Sequence, residues 1–181
     1  MKLVPLSRGM FTMVDDEDYD WAIQFSWSAV KGRGDSYDAH RQIRMPLADG
    51  RFRVTSRQMQ RDLLDPEMKL PRSVKADHRN GDTLDNRRQN LRLSTESGSN
   101  ANRSGWTAAS HGFKGVYYVQ RSGLDGSRGG GKTPYVVKIK LHGRQVYGAS
   151  QPDPVSAARE YNRLALQHFG EFARLNVVPD E

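Results

Sequence analysis

Apolar positions along this chain come in short clusters, and their spacing divides it into three parts. Lys2-Leu3-Val4-Pro5-Leu6 and Met10-Phe11-Thr12-Met13-Val14 read as short strands joined by Ser7-Arg8-Gly9. The acids Asp15 to Asp18 suit the first turn of a helix, where the dipole favours negative charge. Tyr19, Trp21, Ile23 and Phe25 to Trp27 supply an aromatic core. Residues 37–44 and 51–55 read as strands around an Ala48-Asp49-Gly50 turn. Ser56 is predicted to cap a helix through Leu64, with Met59, Leu63 and Leu64 on one face, and Pro66 and Pro71 end it. Next come a short strand at Val74 and Ala76, a turn-rich loop, a second strand at Leu91 and Leu93, and a polar helix.

The last third has the clearest pattern. Residues 116–119 predict one strand, and 135–141 a second with Val137, Ile139 and Leu141 on one face and Lys138 and Lys140 on the other. His142-Gly143 turns into a third strand at 145–147. Asp153 caps a helix with Pro154 in its first position and Gly170 as its stop. Val155, Ala158, Tyr161, Ala165 and Phe169 keep helical spacing, so a three-stranded sheet packed on one helix is expected.

Charge adds a partner. The 181 residues carry a net +7, and from Gly105 to Ser150 seven basic residues face the single acid Asp125. That segment alone holds +6, which points to a polyanion. Mean hydropathy is −0.78, so the cores are small. The absence of cysteine excludes disulfides and thiolate-bound zinc and suits a cytoplasmic protein. No stretch has the length of a membrane span or signal peptide.

The chemistry concentrates in Asp77-His78-Arg79-Asn80-Gly81, Asp85-Asn86-Arg87-Arg88, Asn90-Leu91-Arg92 and Asn100-Ala101-Asn102. A carboxylate and an amide oxygen suit a hard divalent cation, and a neighbouring His can take a proton from water at neutral pH. This order of residues closely resembles the HNH endonucleases, in particular the homing-endonuclease branch of phages and mobile introns. The resemblance implies a ββα-metal core in which Asp77 binds the metal, His78 is the general base and Asn90 orients it. Asn100 would be the second metal ligand. The family's helix ligand usually stands four residues after the Thr matched by Thr95, which here is Ser99, and Asn102 fits a second Asn of the family.

The C-terminal segment resembles the AP2 DNA-binding domain, from Phe113-Lys114-Gly115-Val116-Tyr117 through 157–162 to Phe169-Gly170-Glu171-Phe172-Ala173-Arg174-Leu175-Asn176. The usual Trp of the second strand is absent and the loop 122–133 is longer than usual. Gly126 to Thr133 matches a phosphate-binding-loop pattern, but Pro134 and an alternating strand follow where a helix must begin, so nucleotide binding is rejected.

The expected architecture is α+β: an N-terminal mixed module (1–70), an HNH core (71–104), a linker (105–112) and an AP2-like domain (113–176). The expected function is metal-dependent hydrolysis of phosphodiester bonds in double-stranded DNA, as a nick or a double-strand break. Mg²⁺ or Mn²⁺ would be the cofactor, and no membrane or protein partner is evident. A phage- or bacterium-encoded intracellular protein is expected. DNA contacts are expected from Arg79, Arg87, Arg88, Lys114, Tyr117, Arg121, Lys132, Lys138, Lys140 and Arg144. The alternative is a sequence-specific DNA-binding regulator with a silent HNH core.

Overall fold

A computed structural model describes residues 1–32, 34–103, 112–119 and 134–179. Among these residues the chain is α+β, with small antiparallel sheets and four α-helices. It forms two units, Met1–Glu96 and Ser97–Glu181.

In the first unit, β1 (Lys2–Pro5) and β2 (Phe11–Val14) pair antiparallel, and α1 (Asp16–Ala22) carries Asp16, Glu17 and Asp18 in its first turn. A three-stranded sheet follows, ordered β3 (Ser28–Lys31), β4 (Tyr37–Pro46), β5 (Phe52–Gln58). The sequence pattern missed β3, because Trp27 and Ala29 enter the core from a stretch with only one clear alternation. Ser56 is not a cap. It lies within β5, its hydroxyl meets His40 Nδ1 at 2.8 Å, and α2 (Met59–Leu64) starts after Gln58. Ile23, expected in the aromatic core, is exposed.

The hairpin β6 (Lys75–His78) and β7 (Leu91–Ser94) belongs to this unit. Leu91 is buried in one core with Val4, Val14, Trp27, Ala39, Met59 and Leu63. The expected division between residues 1–70 and 71–104 is therefore not a boundary of packing, and the units divide at 96/97 instead.

α2 also explains its buried acids. Asp62 receives Arg41 Nε at 2.5 Å and the Arg57 guanidinium, while Asp65 lies within 3.6 Å of Arg57 and 3.4 Å of Arg61. Arg41 also stacks 3.9 Å over the Phe25 ring, and Arg61 donates to the carbonyls of Leu70, Pro71 and Val74. Burying two carboxylates is tolerable only because each is paired. Three arginines of this stretch thus serve the interior.

The second unit begins in α3 (Glu96–Asn102). Its sheet is ordered β10 (Arg144–Tyr147), β9 (Tyr135–Leu141), β8 (Val116–Tyr118), antiparallel throughout, as the pattern predicts. Val116, Val137 and Ile139 pack against Ala158, Tyr161, Leu164 and Ala165 of α4 (Pro154–Phe169). Asp153 accepts from the amides of Val155 and Ser156 at 2.9 and 2.8 Å, which caps α4 as expected. The expected linker, the long loop with Arg121 and Lys132, and the rejected phosphate-loop pattern lie mostly or wholly outside the described residues.

Candidate functional site

Register sets the first two side chains. Asp77 lies opposite Arg92 and His78 opposite Leu91, and successive residues on a strand face opposite ways. Asp77 Oδ2 accepts from both Nε and Nη2 of Arg92 at 3.0 Å. His78 is only 5% exposed, and its Nε2 meets Asn86 Oδ1 at 3.1 Å.

The tautomer follows from donor accounting. Thr12 spends its hydroxyl proton on the Leu84 carbonyl at 2.7 Å, so it must accept from Asn86 Nδ2 at 2.8 Å. The Asn86 amide is thereby oriented with Oδ1 toward His78. That oxygen can only accept, so Nε2 carries the ring proton and Nδ1 is the basic nitrogen. Burial holds the imidazole below its ordinary value of 6.5, with the Asn86 bond and the carboxylates of Asp38, Asp77 and Asp82 opposing this. His78 is therefore neutral at pH 7.

Asn90 sits one step away. Its Oδ1 accepts from the Asn80 amide at 3.0 Å and its Nδ2 donates to the Asp85 carbonyl at 2.8 Å. It closes the loop that presents Asn86, whereas the resemblance implies that it orients His78. The residue that bonds the ring is Asn86. In the sequence Asn86 read as turn chemistry, and its partner Thr12 lies 74 residues away. The same loop docks on β2 through Met13 N to Leu84 O and Asn86 N to Met13 O, both 2.8 Å.

Two of the expected DNA contacts beside the motif are spent within the fold. Arg87 forks onto Asp85 with two 2.7 Å bonds, which hold the Asp85 carboxyl below the usual range. Arg88 forks onto the buried Asp18 at 2.8 and 2.7 Å, and its own amide donates to Asp15. Arg79 is exposed on the loop.

Asn100 is exposed in the second unit and lines a cavity of about 250 Å³ with Arg103, Lys114, Tyr117, Lys138 and Lys140. Its rivals differ: Asn102 is buried, and Ser99 Oγ is buried with no hydrogen-bond partner. An exposed amide can take a further ligand, so the geometry favours Asn100 among the three. The Asp77 carboxylate in the first unit and the Asn100 amide in the second each offer oxygen donors, the kind that Mg²⁺ and Mn²⁺ take. Among the described residues no three His, Cys, Asp or Glu side chains gather as a metal group.

On the sheet, Lys138 pairs in register with Tyr147, and Lys140 with Gln145. Lys138 Nζ stands 4.0 Å over the Tyr117 ring. Because Val137 and Ile139 are buried against α4, this polar and aromatic face points away from the helix. Arg144, at the start of β10, is exposed. Lys114 does not join that face. Its Nζ donates to the carbonyls of Ala101 and, at 2.9 Å, Arg103, and burial pulls its ammonium down to about 8.

Comparison with known proteins finds no matching family model, curated protein or solved structure. Among the described residues no helix is long and apolar enough to cross a membrane.

Proposed function

We propose that this chain is a metal-dependent endonuclease of the HNH homing type that hydrolyses phosphodiester bonds in double-stranded DNA. The observation that carries the reading is His78: buried, neutral, and held through Nε2–H by an amide whose own orientation is fixed. This leaves Nδ1 as the ring nitrogen able to take up a proton. Asp77 would be a ligand of Mg²⁺ or Mn²⁺. When bound, the ion supplies charge stabilisation at the phosphate and the leaving 3′ oxygen. Water attacks phosphorus as its proton passes to His78 Nδ1, and the bond to the 3′ oxygen breaks. The outward sheet face of the second unit, with Lys138 and Lys140, grips the DNA.

A second reading is a DNA-binding regulator whose HNH core is silent. It is favoured by the pairing of Asp77 with Arg92, which neutralises the carboxylate. Supercoiled plasmid incubated with protein and Mg²⁺, and in parallel with EDTA, separates the two. Relaxed circles or linear product only with the metal are expected. Tight binding with no cleavage in Mg²⁺ or Mn²⁺ would establish the regulator.

The DNA face has its own test. Lys138→Ala with Lys140→Ala is expected to weaken binding and flatten its dependence on log salt by about two units, roughly one per lost phosphate contact. An unchanged slope in a filter-binding salt titration would remove the sheet from the interface.

A further inference from the structure

We propose that the cavity lined by Arg103, Lys114, Lys138 and Lys140 is an anion site that takes the terminal phosphate of a DNA strand. The four cations share a space of about 250 Å³, and no acidic side chain lines it. Among the described residues none of the four is paired with a carboxylate. In the first unit, by contrast, clustered arginines are balanced by Asp62 and Asp65. Here the further charge acting on Lys114 is another cation, Arg174. Like charges gathered in one cavity repel, so the counter-charge has to come from a ligand.

Donors remain for its oxygens. Lys114 Nζ gives two of its three protons to the carbonyls of Ala101 and Arg103 and keeps one. Asn176 pins the lysine backbone, accepting from its amide at 2.6 Å and donating to its carbonyl at 3.1 Å. Gln145 also lines the cavity. Its Oε1 is taken by the Tyr147 hydroxyl at 2.6 Å, which leaves Nε2 to donate. The Arg103 guanidinium is exposed. The same cations repel a divalent metal ion, so the expectation that Asn100 binds the metal gives way, and its Nδ2 is one more donor to an anion.

A strand end fits the cavity better than an internal phosphate. Ile139 and Tyr161, both core residues, line it too, so it ends at the core, and a strand passing through needs a second opening. A terminal monoester also brings about two negative charges and three free oxygens, against a single charge on a diester. Hydrolysis with loss of the 3′ oxygen, as proposed above, leaves a 5′-phosphate end, so that reaction would supply the ligand. The site itself rests only on the DNA reading of the sheet face.

The test measures binding of the full chain, in EDTA and at fixed salt, to two duplexes of one sequence, with 5′-phosphate or 5′-hydroxyl ends. Fluorescence anisotropy is expected to show about tenfold tighter binding of the phosphorylated duplex, the worth of one hydrogen bond to a charged group. Arg103→Gln is expected to abolish the preference. Arg144→Gln removes an equal charge from outside the cavity and should weaken both duplexes alike. Lys140→Gln, at a second exposed cation of the cavity, should also reduce the preference and keeps the test decisive should Arg103→Gln fold poorly. Deoxyadenosine 5′-monophosphate, the same group without the strand, is expected to compete only weakly. Equal wild-type affinity for the two duplexes would overturn the proposal and leave the DNA face intact. So would a preference lost equally in Arg103→Gln and Arg144→Gln, which is a general charge effect. The mononucleotide binding as tightly as the phosphorylated duplex would make the cavity a free-nucleotide site instead. A wild type that binds neither duplex refutes the DNA reading of the sheet, and this proposal with it.

Discussion

His78→Ala is expected to cut the nicking rate by about 10²- to 10⁴-fold, the usual contribution of a general base, while DNA affinity in EDTA stays nearly unchanged. Single-turnover nicking and a binding isotherm on the same preparations check both halves, and wild-type nicking by the variant would remove His78 from the reaction. Asn86→Ala extends the series. It leaves Nε2–H without its acceptor and frees the ring to take the other tautomer, so a smaller loss is expected, with a change in the imidazole nitrogen shifts. The pH profile follows from the burial of the ring. Activity needs the unprotonated form, and burial lowers the folded value, so on this group's account the rate falls at a lower pH than an ordinary imidazole would give. Stability moves in the same direction. The unfolded chain takes up the proton first as pH falls through 6.5, so folding is progressively disfavoured toward the lower folded value. Melting curves at each pH separate that loss from the loss of the base.

Gly115→Ala is expected to be the most damaging single methyl in the second unit. Gly115 has φ +72°, which side-chain-bearing residues rarely adopt, and a Cβ there would stand 2.2 and 2.3 Å from ring carbons of Tyr161. Tyr161 is 3% exposed in the core against Val116 and Val137, so displacing its ring disturbs the packing of α4 on the sheet. The other near atom is the Lys138 carbonyl at 2.9 Å, and Gly115 O also accepts from the Lys138 amide, so backbone movement would break the pairing of β8 with β9. A destabilisation of about 4 kcal/mol or more is expected, in the range reserved for overpacking a rigid core at a strained backbone position. Denaturant unfolding followed by tyrosine and tryptophan fluorescence measures it. Tyr161→Leu in the same chain should recover part of the loss by vacating the ring. A change below 1 kcal/mol would show that the contact relaxes.

What the sequence disclosed divides along the range of the interactions. Strands and helices marked by local signals were legible: the alternation at 135–141, the Asp153-Pro154 start and the acids of α1 all stand where the pattern predicts. Partners chosen by the tertiary fold were not. Arg88 reads as a cation free to contact DNA, yet its carboxylate is 70 residues away at Asp18. Nothing in the local sequence marks Arg41, Arg57 and Arg61 as the counterions of Asp62 and Asp65 that they are. Lys114, like Arg88, reads as free, because nothing local says that the end of α3 needs a donor. The Asp77-His78 pair was visible from residue order, but the residue that fixes the ring was hidden among turn-formers. A short polar loop looks alike whether its amides meet water or each other.

The docking of the 84–86 segment onto β2 bears on how the proposed nuclease could be re-engineered. Residues 71–104 look like a cassette to be lifted out and spliced to another targeting module. Yet the proton on the base is assigned by a threonine near the start of the chain, and the loop bearing its amide partner is stitched to Met13. An excised cassette would keep every residue of the motif and lose the reference that tells the imidazole which nitrogen to leave bare. Any transferable piece must include the whole of Met1–Glu96.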